Sequence, residues 1–494
     1  MVRCRLAFPY ACTVVIAIAG SLHGAVAQSS GGNSVAAAVT VPPVTIPAGV
    51  GPLPDLSKGG GAGVAVSQPY VAKYAAVLPV EVADLLSRGG LAFEAALRTK
   101  NVVALSDSQK GVAKGVDLVS GSFLPESLSP KGSNFEGELP FPSPSTELVA
   151  RDPASAGYHV LWNAAAVLWR LGYIEFEGRA RIFQDSRSGP RELQFTVARI
   201  YPRNFGATPG KLISLFREKI ALTVPTVLKG VTWLTLRFLT AEEDYLWASS
   251  PTTMSTRQMT GSNRGDLIFP RGFSPDDLFV WSGKVEGTAV KAITKTQMLV
   301  PIAATSFSVQ EAEEGCASVK GSSLEISLEA RRVPQAPSWL PSNAFWELRE
   351  VWKLEVENRD PFSLDTRGTL FIDAATYSPV YRVVYGDKGE VRRINIGVLG
   401  AVQGAKAPPL FWRGAIVINP AEEGATVIEP LAYKVCSTLS ASRELKNFDP
   451  KSLIAKPTKG EIAGKMKSNP QSAASTQQVP PTPQPVDEDS IPQD

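Results

Sequence analysis

The sequence predicts a mainly β protein with a few helices, an α+β chain organised as a curved antiparallel sheet. Three observations lead there. From Val231 to Phe238 the side chains alternate, with Thr232, Leu234, Leu236 and Phe238 on one side and Val231, Trp233, Thr235 and Arg237 on the other. The pattern returns in Trp346, Leu348, Trp352, Leu354 and Val356, broken by Glu350, and most cleanly in Ser323 to Ala330, where Leu324, Ile326, Leu328 and Ala330 oppose Glu325, Ser327 and Glu329. Polar-out alternation of this kind marks antiparallel sheet with one wet face. Finally, all 9 Trp lie between Trp162 and Trp412, and large aromatics supply much buried apolar area per residue.

In chain order, residues 1–27 read as a secretory signal. Arg3 and Arg5 give a positive start, Thr13 to Ala19 an apolar run, and Ala25-Val26-Ala27 a small-residue cleavage site. Residues 28–75 read as a flexible Gly/Ala/Pro tether, with GGGAG at Gly59 to Gly63. Residues 76–134 form a helical and loop lead-in. Val82, Leu85 and Leu86 have helical spacing within Glu81 to Lys100, interrupted by Gly89-Gly90, which suggests two short helices. A β domain fills 135–450, and 457–494 is a Pro/Gln-rich tail too polar to offset its ordering entropy.

Within the β domain the strongest helix runs from Tyr158 to Arg170. Tyr158, Leu161, Trp162, Ala165, Leu168 and Trp169 share one face. A second helix is expected from Thr208-Pro209, presenting Leu212, Leu215, Phe216 and Ile220. Further strands are expected at Tyr245 to Trp247, Leu193 to Ile200, Val380 to Tyr385, Val391 to Ile396, Phe411 to Ile418 and Thr426 to Val435.

Charge and composition exclude several functions. Lys plus Arg total 50 against 47 acids, and loss of Arg3 and Arg5 with the signal leaves about +1 by formal count. That balance lacks the clustered bases that nucleic-acid binding requires. No later stretch approaches the roughly 20 apolar residues of a spanning helix. Cys4 and Cys12 leave with the signal, so Cys316 and Cys436 remain, read as one disulfide or, failing that, two buried thiols. His159 is the sole histidine after residue 27, which leaves no zinc spacing and no catalytic triad. Walker, Gly-x-Gly-x-x-Gly and Gly-x-Ser-x-Gly motifs are absent, so no cofactor and no metal are expected. Glu242, Glu243, Asp244 and the pair Asp276-Asp277 sit in turn-like sequence and read as solvated turn acids.

Four stretches carry a family resemblance. ELPFPSP (Glu138 to Pro144), LWN (Leu161 to Asn163), the strand with Arg349, Trp352 and Glu355, and TLFIDAATYSPVYRVVYGDKGEVRRI (Thr369 to Ile394) occur in order over residues 135–400. Together they resemble the lipoprotein-carrier superfamily of the Gram-negative periplasm, and within it a domain-of-unknown-function family of outer-membrane lipoprotein-sorting proteins. The chain departs from that pattern after Pro251, where a dense Arg cluster is reduced to Arg257.

The resemblance implies a half-open antiparallel β-barrel closed by helices over an apolar interior. In that geometry Trp162 and Trp169 on the helix face Trp233, Trp247 and Trp352 on the sheet and line a cavity for an acyl chain. Arg257 and Asp277 are the positions expected to contact a partner. The implied function is a periplasmic, non-enzymatic carrier for a lipid or lipoprotein acyl chain, working with an inner-membrane lipid exporter and an outer-membrane barrel protein. The alternative is a structural protein of the envelope with a packed core.

Overall fold

A computed structural model describes residues 50–56, 62–97 and 139–453, apart from 185–188, 206–213, 240–241, 270–271, 312–314, 322, 327–328, 330, 404–409, 423, 438 and 441–443. The signal segment and the 457–494 tail lie outside the described residues.

One antiparallel sheet organises the chain. In spatial order its continuous run is β8 (Ser255–Met259), β7 (Tyr245–Ser250), β6 (Thr232–Phe238), β5 (Ser214–Val224), β4 (Arg191–Ile200), β3 (Tyr173–Phe183), β17 (Gly424–Cys436), β16 (Leu410–Asn419), β15 (Val391–Gln403), β14 (Pro379–Tyr385), β13 (Arg367–Asp373), β12 (Ala344–Asn358) and β9 (Thr288–Ala303). The β3–β17 pairing, from Tyr173↔Cys436 to Phe183↔Ala425, joins the two halves of the chain. Two short strands, β1 (Val64–Val66) and β2 (Phe93–Ala95), pair with each other, and β2 touches β12 at Trp346. The hairpin of β10 (Phe307–Glu311) and β11 (Cys316–Lys320) lies along β17.

Among the described residues the end strands β8 and β9 do not pair with each other, so the sheet is open and curved rather than a closed barrel. Register shifts at Gln194/Phe195, Val398/Leu399, Pro430/Ala432 and Glu355/Val356 supply the bends. The bend also brings Ile302 of β9 against Leu399 of β15.

The helices are α1 (Val71–Tyr74), α2 (Val80–Ser87), α3 (Thr146–Arg151) and α4 (Pro153–Trp169). Asp152 caps α4 by accepting from the Ser155 N–H at 3.0 Å, and Pro153 takes the first turn, where its missing donor costs nothing. A helix apolar nearly all round must be buried, and α4 buries residues from Ala156 to Trp169 on several faces. Gly172 (φ +73°) then turns the chain into β3, where a Cβ would stand 2.9 Å from the Cys436 carbonyl oxygen.

Two large cores result. One lies between α4 and the sheet and includes Trp162, Phe176, Phe195, Phe279, Trp352 and Trp412. The second covers the other face, where α1, α2 and residues such as Trp339 and Leu340 pack on Leu299, Tyr381, Ile396 and Ile416. Successive residues on β16 divide between them, Ala415 and Val417 to the first and Ile416 and Ile418 to the second. Strand β16 therefore has no wet face.

The family motifs build this frame. Asn163 of LWN clamps the ELPFPSP segment: its Oδ1 accepts the Phe141 N–H at 3.0 Å and its Nδ2 donates to the Phe141 carbonyl at 2.9 Å. Arg349 pairs with the buried Asp373, which also accepts the Thr376 N–H at 2.8 Å and holds the turn after β13.

Several expectations are corrected. Leu215, Phe216 and Ile220 lie on β5, not on a helix, because pairing with β4 and β6 overrides the local helical spacing; Leu212, Thr208 and Pro209 lie outside the described residues. The clean alternation at 323–326 forms no strand. There Glu429 Oε2 accepts the Leu324 N–H, and Asn343 Oδ1 accepts the Glu325 N–H, so side chains replace a ladder. After Gly90 the chain forms β2 instead of a second helix. The end of the expected tether is structured, since Val64–Val66 pairs with β2 and Val66 is buried. Two long strands, β3 and β9, were not anticipated.

Cys316 and Cys436 face each other across β11 and β17 and form a disulfide. Thiol labelling of denatured, unreduced protein beginning at residue 28 should find no free cysteine. Closing a loop of sequence separation 120, the bond contributes up to about 5 kcal/mol in the chain-entropy account. The Cys316→Ser, Cys436→Ser double variant should therefore melt well below the wild type; unchanged denaturant midpoints would contradict that contribution.

Candidate ligand-binding site

The site is built where α4 crosses the sheet. A segment without strands, residues 261–287, tucks against the sheet there and buries Phe273, Leu278, Phe279, Val280 and Trp281. Its apolar side chains, with Val167 and Leu168 of α4, Leu215 and Phe216 of β5, and Phe411 and Trp412 of β16, surround a narrow apolar slot. The slot has a volume of about 50 Å³, room for a few water-sized groups. A wide polar cleft of about 600 Å³ adjoins it, walled by 242–244, 260–265 and the 356–370 hairpin. Arg237, Trp281 and Gly283 line both, so slot and cleft are neighbours across a shared wall.

Buried ion pairs fix the inserted segment. Arg199 Nε donates to Glu218 Oε2 at 2.8 Å and its Nη2 to Ser282 Oγ at 2.6 Å. Arg264 Nη1 donates to Glu218 Oε1 at 3.0 Å and to Thr235 Oγ1 at 2.6 Å, while its Nε donates to Asp276 at 2.8 Å. Arg237 binds Asp244 at 2.7 Å and the Ser282 carbonyl at 2.6 Å. At the other side Asp277 accepts from Arg382 at 2.8 Å, Asn395 at 2.7 Å and the Ser274 N–H at 2.7 Å. Burial alone would push the Glu218 carboxyl up, but Arg199 and Arg264 hold it below the usual carboxylate range. Burial likewise opposes Asp277, and Arg393 and Arg382 overcome it; for Asp244, Arg237 and Lys284 do the same.

Phe279 (φ +57°) and Val280 (φ +69°) sit in the left-handed region beside the slot. For a β-branched residue this is a strained conformation, worth about 1–3 kcal/mol, and it persists only because its surroundings over-determine it.

Glu286, which lines the cleft, differs from the other acids. It is 3 % exposed, and no other residue donates a hydrogen bond to either carboxylate oxygen. Burial pushes its carboxyl up to about 7, with Lys284 only partly opposing.

The sequence-predicted residues are dispersed. Trp162, Trp169 and Trp352 are fully buried in the core under α4, and Trp233 packs at its margin. Trp169 Nε1 donates to Asn204 Oδ1 at 3.0 Å. Trp247 belongs to a separate cluster beside the disulfide. None of the five is a wall of the slot; Trp281 and Trp412 take that place. On β6 the polar set, Thr235 and Arg237, turns inward to the ion pairs, while Leu234 packs in the disulfide cluster. Arg257 lies exposed on the edge strand β8. Asp277 is 0 % exposed, so it holds the inserted segment and cannot meet a partner. Asp244 and Asp276 are likewise ion-paired rather than solvated. His159 stacks on Phe141 at 4.4 Å, and burial lowers its pKa.

Fold and site define an open curved-sheet protein with an apolar slot under one helix and a wide cleft lined by charged residues beside it. The chain belongs to the family described as "Protein of unknown function (DUF1329)", which matches residues 121–453. Similar solved structures include a putative outer membrane lipoprotein-sorting protein domain from Vibrio parahaemolyticus (11% identity, TM-score 0.40, covering 60% of this chain and 96% of that one). A DUF1329 family protein from Desulfovibrio piger ATCC 29098 is 14% identical, with TM-score 0.39 and coverage of 61% and 99%. A LolA superfamily protein from Nitrosomonas europaea is 10% identical, with TM-score 0.31 and coverage of 58% and 97%. No curated protein matches the sequence. Among the described residues no helix is long and apolar enough to cross a membrane, and no group of three or more His, Cys, Asp or Glu is arranged to hold a metal.

Two predictions follow from the charges. Glu218→Gln strands Arg199 and Arg264 beside each other, and should cost about 3–5 kcal/mol in urea unfolding; a loss under 1 kcal/mol would show the ion pairs to be marginal. Glu286 acts in the opposite sense. Its folded pKa of about 7 lies above the unfolded value of 4.5, so its penalty develops as pH rises from 4.5 to 7 and is constant above, about 3 kcal/mol. Asp277, Asp244 and Glu218, held low, add stability that is lost as pH falls through the acid range. The ligand-free protein should therefore be most stable near pH 5, and Glu286→Gln should raise its stability at pH 8 but not at pH 4.5.

Proposed function

We propose that this protein is an exported carrier that holds an amphiphile, with an acyl chain in the slot under α4 and the head group in the adjoining cleft. The observation that carries the reading is the shared wall: Arg237, Trp281 and Gly283 border an apolar slot on one side and a polar cleft on the other. Such a two-part recess suits a molecule with a hydrocarbon end and a polar end. Burying each methylene is worth about 0.8 kcal/mol, so a chain is retained without covalent chemistry.

At about 50 Å³ the slot is the closed form, and loading requires Trp281, Trp412 or α4 to move. The strain at Phe279 and Val280 favours a second arrangement of that wall. The carrier works in the periplasm after cleavage behind Ala27, receives a lipid or lipoprotein acyl chain from an inner-membrane exporter and passes it toward an outer-membrane barrel protein. It binds rather than transforms its ligand. The small slot volume favours a second reading, a structural envelope protein whose interior is permanently filled.

Ala165 borders the slot from α4 and is only half-buried, so a large side chain there blocks the slot without disrupting the core. Wild type should bind one fluorescent, uncharged long-chain alcohol per chain. Ala165→Trp should weaken that binding by about tenfold or more, the worth of two buried methylenes or so, with its melting temperature within a few degrees of wild type. Absence of binding by wild type would favour the filled structural protein.

A further inference from the structure

Glu286 has no structural employment. The buried Asp244 and Asp365 and the half-buried Asp276 of the recess each pair with an arginine. No other residue donates a hydrogen bond to either Glu286 oxygen, although the residue is 3 % exposed. A buried polar group without a partner is uncommon in native structures and costly to keep.

Its neighbours are engaged elsewhere. Lys284 donates to Asp244 and to the Glu242 carbonyl, and Arg237 to Asp244 and the Ser282 carbonyl. The residue before Glu286, Val285, lines the slot, and the residue after it, Gly287, lines the cleft. Glu286 itself lines the cleft, next in sequence to a residue of the slot. Several acids of the cleft are already countered by bases, Asp276 by Arg264, Asp365 by Arg393 and Glu357 by Lys291.

We propose that Glu286 is the receptor for a primary ammonium head group, so that the recess selects amine-bearing amphiphiles over neutral and anionic ones. This rests on the chain-binding reading above and adds the identity of the polar end. An ammonium supplies the hydrogen-bond donors that both oxygens lack, and its charge replaces the solvation that burial removed. Because burial holds the empty carboxyl near pH 7, the test belongs at pH 8, where carboxyl and alkylamine are both charged.

The experiment compares decylamine, decanol and decanoate by titration calorimetry on the full-length exported protein, together with Glu286→Gln and, as a charge control at an exposed acid that does not line the cleft, Glu147→Gln. Wild type should bind decylamine about tenfold or more tighter than decanol, as expected for a charge-assisted hydrogen bond, and decanoate most weakly. Glu286→Gln should erase that preference while leaving decanol affinity within about twofold, and Glu147→Gln should change none of the three. Equal binding of all three by wild type, or a preference that survives Glu286→Gln, would overturn the ammonium site while leaving chain binding intact. If no decyl compound binds, the chain-binding reading fails and the ammonium site with it. Short-chain phosphatidylethanolamine and phosphatidylglycerol then separate two sources of the same chemistry. A Glu286-dependent preference for the former supports a phospholipid head group, and a preference confined to decylamine supports a single-chain amine.

Discussion

The pair of arginines on Glu218 is the interaction on which the site depends. Glu218 belongs to β5 and is buried, and its two oxygens are divided between Arg199 of β4 and Arg264 of the inserted 261–287 segment. Removing one member leaves a charge in low dielectric without its counter-charge, so the set holds together or not at all. Through Arg264 and Ser282 it fastens the inserted segment to the sheet, and Asp277 fastens the other side of that segment to Arg382 and Asn395. The apolar residues between these anchors, Leu278 to Trp281, then have nowhere to go but under α4.

That arrangement explains why the slot is both narrow and polar at one end. An open sheet of this curvature leaves a concave face that α4 alone does not fill. The inserted segment fills most of it, and its charged anchors become the floor of the adjoining cleft. The guanidinium of Arg199 lies 4.3 Å from the centre of the Phe216 ring and 5.1 Å from that of Phe279, so cations and aromatics share the same wall. A hydrocarbon chain entering here meets aromatic surface, and its polar end meets fixed charge. Glu286, the acid to which no other residue donates, lines the cleft.

Much of the fold was legible in the sequence because it is locally encoded. The α4 helix announced itself from Tyr158 onward through the spacing of its apolar residues, though not its start at Pro153, and β4, β6, β12, β14, β16 and β17 through alternation or short apolar runs. Where non-local pairing decides, the sequence misled. Leu215, Phe216 and Ile220 fit a helix by spacing, yet β4 and β6 make them a strand. The site was less legible still. Glu218 and Arg264 are 46 residues apart and Asp277 and Arg382 are 105 apart, so acids in turn-like sequence read as solvated when they are buried partners. The tryptophans singled out serve the cores, and the slot uses Trp281 and Trp412 instead. The run Leu278-Phe279-Val280-Trp281 was the available signal: four apolar residues directly after an acidic turn mark a segment that goes inward.

The central claim is that the recess is a place for an amphiphile and not simply packed interior. Native mass spectrometry of the protein purified gently from its own cell envelope, followed by lipid extraction, tests it most directly. The account predicts one equivalent of an amphiphile per chain, lost when the protein is denatured. A single apo mass under the same conditions, with no lipid in the extract and no uptake on adding one, would contradict it.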